Sequence, residues 1–167
     1  MSPLVRLAQP PDDDAVGELL VRAFVEQYAV KLPEVAVSDA RKADLRAVAA
    51  KRALATVWVA EFGGRVVGTV ASWAPGASGS EAWLPNAVDL RHLAVDASVR
   101  GQGVSGRLLD AAEAHARTLG ASHVCLHVRR GALGVQRLYA ARGYVRTPAG
   151  DLDKRPEVFL EAMVLAL

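Results

Sequence analysis

The chain has 167 residues, of which 51% are hydrophobic and 23% charged, and its formal net charge is +2. This composition excludes a disordered, collagen-like or low-complexity protein, and the length predicts one domain over residues 1–167. The small net charge gives no indication of nucleic-acid or membrane binding, and no apolar run reaches the roughly 20 residues that cross a bilayer. The amino terminus lacks the pattern of a secretion signal, so we expect a cytoplasmic protein.

The single cysteine, Cys125, lies in an apolar run and has no second cysteine with which to form a disulfide or a metal site. We therefore expect a buried thiol. His123 and His127 share its face of a predicted strand, but a zinc site wants a fourth ligand that the sequence does not place. We expect no metal.

The first half of the chain changes from a helical to a strand-like hydrophobic period near residue 55. Gly63 and Gly64 separate two β-rich runs and can supply the positive φ angles of a tight hairpin. The predicted elements are a strand at 4–8, helices at 14–29 and 38–54, and strands at 56–62 and 65–73.

The second half alternates strands and helices after an exposed loop at 75–86, and this order predicts parallel strand pairing through crossover helices. The whole string predicts an α/β fold with one mixed sheet and helices on both faces. The predicted elements are strands at 87–96, 123–128, 144–146 and 157–165, and helices at 104–119 and 133–142.

A glycine-rich turn, Arg100-Gly101-Gln102-Gly103-Val104-Ser105-Gly106, joins a predicted strand to an amphipathic helix. Glycines remove the Cβ atoms that keep a ligand away from the backbone, and a helix amino terminus offers unpaired N–H groups and a partial positive charge. The turn therefore predicts an anion site, most simply for a pyrophosphate.

Two interpretations of this turn compete. Gly101, Gly103 and Gly106 satisfy the Gly-x-Gly-x-x-Gly pattern of dinucleotide sites, and Arg129-Arg130 at the end of the next strand could hold a 2′-phosphate. However, a polar spacer at 96–100 separates the strand from the first glycine, and only one clear crossover unit follows. An NAD(P)-dependent oxidoreductase is thus the less favoured alternative.

With its flanks, the segment from Leu93 to Leu109 resembles the acetyl-CoA-binding motif of the GNAT superfamily of N-acetyltransferases, Arg/Gln-x-x-Gly-x-Gly/Ala. Arg100 and Gly103 match this motif, and Ser105 departs from its usual Gly or Ala. The stretch from Leu138 to Tyr144 is similar to the family's Leu-Tyr-x-x-x-Gly-Phe/Tyr ending, although Ala132 replaces an upstream Asn often found there.

This resemblance implies a mostly antiparallel sheet in which one parallel strand pair, here 87–96 and 122–128, splays apart around acetyl-CoA. The backbone of Leu93, Ala94 and Val95 would bind the pantetheine arm, and the amides of Gly101, Gln102, Gly103, Val104, Ser105 and Gly106 would hold the pyrophosphate. An amine substrate, either a small molecule or a peptide, would attack the thioester directly as the neutral base. Homodimers are common in such proteins.

The resemblance also implies proton-transfer residues. Tyr139 corresponds to the tyrosine that protonates the departing thiolate, and Asp89 occupies the strand position of a glutamate that acts as general base. His92 is a rival base, which strand alternation places on the opposite face from Asp89, and Glu81 is a third candidate. A non-catalytic acyl-CoA-binding module is a further alternative because Asp89 is shorter than glutamate.

The acceptor site is the least defined part of the prediction. The resemblance implies that residues 26–38 and the loop 148–156 form it, with Asp151 and Asp153 available to attract a cation and Trp83 exposed to line a pocket. The class of amine stays open.

Overall fold

The computed structural model describes residues 2–26 and 37–167. These residues group into two compact units, one of residues up to Ser72 together with His92–Ala114, the other of Trp73–Arg91 together with His115–Leu167. The fold is mixed α/β and mostly antiparallel, with one parallel strand pair, as predicted. Within these residues no helix is both long enough and apolar enough to span a membrane.

The regular elements follow the predicted order. The strands are β1 Leu4–Leu7, β2 Thr56–Phe62, β3 Arg65–Trp73, β4 Ala87–Val95, β5 His123–Arg129, β6 Val145–Arg146, β7 Leu152–Lys154 and β8 Val158–Ala166. The α-helices are α1 Asp13–Val21, α2 Asp39–Arg46, α3 Val48–Leu54, α4 Val104–Thr118 and α5 Leu133–Ala141.

The first unit is built on the antiparallel strands β1, β2 and β3. Gly63 and Gly64 close the β2–β3 hairpin with φ angles of +54° and +79°, which confirms the predicted turn. Apolar side chains of α1, α2 and α3 form a core with single residues of β2 and β4. Its buried members are Val16, Leu19, Leu20, Ala23, Leu45, Val48, Val59 and Ala94.

Two helix predictions need correction in the first unit. The helix expected at 14–29 is α-helical only to Val21 and continues as a π-helical turn over Arg22–Glu26, while residues 27–29 lie outside the described part of the chain. The helix expected at 38–54 is interrupted at Ala47, whose ψ angle is +54°. Neither glycine nor proline marks this interruption, and the apolar period runs through it unchanged. The sequence therefore predicts one continuous helix.

The second unit contains the parallel pair, in which Ala87–Leu90 of β4 align with His123–Leu126 of β5. The strand β5 also pairs antiparallel with β8, and β6 and β7 both pair antiparallel with β8. Strand β7 was predicted as part of a polar loop. Three residues flanked by Pro148 and Pro156 give too short a pattern to indicate a strand, but pairing with β8 stabilises it.

Candidate active site

The glycine-rich turn ends in an open helix amino terminus. The N–H of Arg107 donates to the carbonyl of Gly103, so the amides of Val104, Ser105 and Gly106 precede the first hydrogen bond of α4. Gly101 and Gly103 have φ angles of +76° and +77°, a conformation that favours glycine. A Cβ at either position would meet no atom of the described chain within 4 Å, so the space over the turn is open.

The segment before the turn is held by Asp96. Its carboxylate accepts hydrogen bonds from the N–H and the hydroxyl of Ser98 at 2.9 and 2.6 Å, and its own N–H donates to the carbonyl of Val67 on β3. Ser98, together with the nearby guanidinium groups of Arg65 and Arg22, lowers the pKa of Asp96. The polar spacer 96–100 is thus an ordered segment, in which Asp96 caps a short 3-10 helix at Ala97–Val99.

Gly68 of β3 fixes the position of α4. A Cβ on Gly68 of β3 would lie 2.9 Å from side-chain atoms of both Val104 and Leu108. Only a residue without a side chain allows the first turn of α4 to pack this closely on β3, and the amides of Gly101–Gly106 are held with it.

Leu93, Ala94 and Val95 form the last part of β4, beyond the four residues that pair with β5. Ala94 is buried, whereas Leu93 and Val95 are half-buried. These residues lie directly before Asp96 and the glycine turn, so one continuous stretch of backbone carries all the residues predicted to bind acetyl-CoA.

Asp89 is completely buried and is held through one oxygen. Its Oδ2 accepts from Arg91 Nε at 2.7 Å, from Arg91 Nη2, and from the N–H of Glu81 at 2.8 Å. Its Oδ1 is also buried and has no hydrogen-bond partner among the residues that the structure describes. A buried carboxylate oxygen normally accepts a hydrogen bond from a protein group or an ordered water.

His92 departs from the regular alternation of a β-strand. Its φ angle is +60° within β4, a left-handed conformation that is uncommon for residues other than glycine. The assignment of His92 and Asp89 to opposite faces by simple alternation therefore does not apply. His92 packs edge-on against Phe24 of the π-helical turn, and its Nε2 lies 3.5 Å from Arg41 Nη2 of α2.

Trp83, predicted to be exposed, is half-buried. Its ring lies edge-on to His127 with a centroid distance of 5.1 Å and covers Gly150, where a Cβ would overlap it. Its Nε1 is buried without a partner in the described part of the chain.

Glu81, the third candidate base, does not stand free beside Asp89, because it forms an ion pair with Arg91 at 3.2 Å.

Tyr139 is buried near the end of α5, with 5% of its surface exposed. Its ring packs edge-to-face on that of Tyr144 with a centroid distance of 5.3 Å, and its carbonyl accepts the N–H of Tyr144. The stretch from Leu138 to Tyr144 thus forms one compact turn around two aromatic rings.

Cys125 is fully buried as predicted, and this burial raises the pKa of its thiol.

The two acidic candidates for the acceptor site have arginine partners. Asp151 accepts from Arg146 Nη1 and Nη2 at 2.6 and 2.7 Å, and Asp153 is paired with Arg155 at 2.6 Å. Neither carboxylate is an uncompensated negative charge for a cationic substrate. The expected segment 26–38 lies largely outside the described residues, which include only 37, 38 and the backbone of Glu26.

The family model described as the acetyltransferase (GNAT) family matches residues 14–144. The chain belongs to the GNAT acetyltransferase family. The match spans both motifs that carried the resemblance, the glycine turn and the Leu138–Tyr144 stretch. No curated protein matches the sequence significantly.

Solved structures of this family share the fold over nearly the whole chain. A GNAT acetyltransferase from Staphylococcus aureus Mu50 has a TM-score of 0.76 at 14% identity, with 99% of both chains covered. A structure described as histone acetyltransferase HPA2 and related acetyltransferase, from Corynebacterium glutamicum, has a TM-score of 0.70 at 23% identity, with 98% of this chain and 96% of that chain covered.

A GNAT acetyltransferase from Brucella melitensis, solved in complex with acetyl-CoA, has a TM-score of 0.65 at 22% identity, with 99% of this chain and 88% of that chain covered. Identities this low establish similarity of fold and leave the acceptor of this chain open.

Arg91 and Gly68 are not among the residues predicted from the sequence. Arg91 follows Asp89 by two residues, and residues i and i+2 of a strand share a face, so their pairing had a detectable signal. The signal for Gly68 was weaker: a glycine inside a strand often marks a close approach of another backbone. Phe24 and Arg41, which contact His92, had none because their proximity depends on the tertiary fold.

Proposed function

We propose that this chain is an acetyl-CoA-dependent N-acetyltransferase that acts as one domain over residues 1–167 and transfers the acetyl group directly to a primary amine. The observation that carries the proposal is the turn Gly101–Gly106, with two left-handed glycines, open space above them and three amides ahead of the first helical hydrogen bond. The match to solved GNAT structures over 99% of the chain supports a single functional domain.

The residues of the turn fit a pyrophosphate. The amides of Gly101, Gln102, Gly103, Val104, Ser105 and Gly106 would donate to its oxygens, and the amino terminus of α4 supplies a favourable field for negative charge. Arg100 is exposed beside the turn and adds a positive charge. The family assignment supports acetyl-CoA over a dinucleotide as the ligand of these glycines.

Backbone groups of Leu93, Ala94 and Val95 would bind the pantetheine arm in the manner of an added strand, because they lie beyond the part of β4 that pairs with β5. One N–H in this stretch would donate to the thioester oxygen as negative charge develops there. Such a donor, fixed in place before the reaction, typically lowers the barrier by about 3–4 kcal/mol.

Asp89 would take the proton of the attacking amine. Because three donors occupy Oδ2, Oδ1 is the oxygen with free lone pairs, and a bound amine or a bridging water would satisfy it. The C–N bond then forms as the C–S bond breaks, and the proton lost by nitrogen passes to Asp89.

Tyr139 would give a proton to the departing thiolate, which leaves as the free thiol of CoA. A phenol suits this role because its ordinary pKa of about 10 is close to that of an alkyl thiol. The edge-to-face contact with Tyr144 fixes the direction of the Tyr139 ring. The acceptor is a small-molecule or peptide amine.

A thiol-release assay tests the proposal. The purified chain is incubated with acetyl-CoA and a fixed panel of amines, namely spermidine, glycinamide, tyramine and N-α-acetyl-lysine methyl ester, and free CoA is measured. We expect turnover with at least one amine and a mass increase of that amine by one acetyl group. Tight acetyl-CoA binding with no turnover on any amine would favour the non-catalytic acyl-CoA-binding module.

A further inference from the structure

The guanidinium of Arg91 contacts three polar groups of the second unit. Nε and Nη2 donate to Asp89 Oδ2, Nη2 also donates to the carbonyl of Gly79, and Nη1 pairs with Glu81. The guanidinium carbon lies 4.2 Å from the ring centroid of Trp73, at the end of β3. Arg91 therefore ties the loop 75–86 to the strand that carries Asp89.

The way Arg91 holds Asp89 differs from the arginine–aspartate pairs of this protein in which both carboxylate oxygens accept hydrogen bonds. Arg52 reaches both oxygens of Asp13, and Arg146 reaches both oxygens of Asp151. Two parallel hydrogen bonds of this kind are the common geometry of such pairs. Around Asp89 all the donors converge on Oδ2, including the N–H of Glu81, and Oδ1 accepts none from the described residues.

From this asymmetry we infer that Arg91 is a positioning residue for proton transfer: it fixes Asp89 through Oδ2 so that Oδ1 faces the acceptor amine. The inference rests on the proposed function, since it requires Asp89 to be the base. A carboxylate in a strand can rotate about χ2, and an anchor on one oxygen removes that freedom before the substrate binds.

The charges around this arrangement come from the described elements packed on β4. Glu81 on the loop 75–86 pairs with Arg91, and Lys154 of β7 lies 3.9 Å from the other oxygen of Glu81. Cys125 of β5 is the neighbour of Asp89 in the parallel register and is buried with a raised pKa, so it adds no charge at neutral pH. Among the residues that the structure describes, Arg91 is the cation in direct contact with Asp89.

A double-mutant cycle tests the inference, with the fastest amine of the panel as acceptor and kcat as the measured quantity. If Arg91 acts through Asp89, Arg91→Gln lowers kcat by about 10-fold or more in the native background and by less than about 2-fold in Asp89→Asn. Arg91→Gln leaves the KM for acetyl-CoA unchanged in both backgrounds. Arg91→Lys, which keeps a cation for Oδ2, retains more of kcat than Arg91→Gln.

The outcomes separate the two proposals. Equal losses from Arg91→Gln in both backgrounds, or no loss in either, overturn the role of Arg91 while Asp89 stays the base. An unchanged kcat in Asp89→Asn overturns the base assignment itself and the inference with it. Calorimetric binding of acetyl-CoA shows that each variant is folded, and if Arg91→Gln fails to bind, the cycle is completed with Arg91→Lys. Arg46→Gln, which removes an exposed pair with Glu18, is the matched control and should keep its kcat.

Discussion

Gly68 on β3 and Val104 in the first turn of α4 approach each other so closely that a Cβ on Gly68 would lie 2.9 Å from Val104 Cγ1. Real Cβ atoms do not tolerate such a distance, so either the helix or the side chain has to shift. The contact sets the position of the helix amino terminus, and thereby that of the six amides proposed to bind pyrophosphate.

We therefore expect Gly68→Ala to destabilise the protein by about 1–3 kcal/mol and to weaken acetyl-CoA binding. Gly134→Ala is the control, because its Cβ would meet open space in α5 and alanine favours a helix by up to about 1 kcal/mol. Thermal unfolding with and without acetyl-CoA measures both effects. Equal melting temperatures for Gly68→Ala and the native chain would contradict the packing argument.

The left-handed conformation of Gly103 leads to a second prediction. Gly103→Ala should raise the Kd for acetyl-CoA by at least about 10-fold, since alanine at a φ of +77° is strained by about 1–2 kcal/mol and its Cβ enters the ligand space. Gly64→Ala carries the same strain at a φ of +79° in the β2–β3 hairpin. Both should lose similar stability, but only Gly103→Ala should lose affinity in a calorimetric titration.

Most of the fold could be predicted from the sequence because it depends on local patterns. The hairpin at Gly63-Gly64, the strand–helix alternation of the second half and the glycine turn were all recognisable from residue type and spacing. The interruption at Ala47 and strand β7 were missed, since tertiary packing and pairing with β8 decide them. Neither leaves a mark in the hydrophobic period.

The hydroxyl of Tyr139 gives the third prediction. Tyr139→Phe should lower kcat by about 100-fold, the lower end of what a general acid contributes, and leave acetyl-CoA binding intact. Tyr144→Phe removes the hydroxyl from the partner ring of the same edge-to-face pair and should keep most of the activity. If the two variants have the same kcat, Tyr139 is a packing residue.

A fourth prediction separates the two candidate bases of β4. Asp89→Asn should lower kcat with an alkyl amine, which must shed its ammonium proton before it attacks. With hydroxylamine, which is already neutral at pH 7 and gives up only the proton displaced on acylation, the loss should be smaller. His92→Asn should change neither rate greatly, because asparagine also tolerates the φ of +60° at this position. A large loss in His92→Asn that is absent with hydroxylamine would assign the base to His92 instead.

The pair of Arg146 and Asp151 gives a prediction for stability against pH. Hydrogen bonds from Arg146 and from the N–H of Ala162 lower the pKa of Asp151 below its ordinary value of 3.8. A lowered pKa means that the contribution to stability is complete above the unfolded value and is lost as the pH falls through the folded one. Asp151→Asn should thus cost about 1.5–3 kcal/mol at neutral pH and progressively less below pH 4.

Urea unfolding of Asp151→Asn and of the native chain at a series of pH values measures this difference. Asp39→Asn is the control, because the side chain of Asp39 is fully exposed. A difference for Asp151→Asn that stays constant down to pH 2 would show that the carboxylate charge does not matter.

The site was less predictable than the fold. The glycine turn and the Leu138–Tyr144 stretch are contiguous motifs, so their residues could be named from the sequence alone. The state of Asp89 could not, because its burial and the convergence of Arg91 and Glu81 on one oxygen depend on how the loop 75–86 folds over β4. The left-handed His92 likewise breaks an alternation that the sequence shows as regular.

Calorimetric titration of the chain with acetyl-CoA and, separately, with NADPH at the same ionic strength tests whether the turn Gly101–Gly106 binds the pyrophosphate of acetyl-CoA. We expect saturable binding of one acetyl-CoA per chain, weakened in Gly103→Ala, and no binding of NADPH. Binding of NADPH alone, or of neither ligand, would contradict the assignment of Gly101–Gly106 to the pyrophosphate of acetyl-CoA.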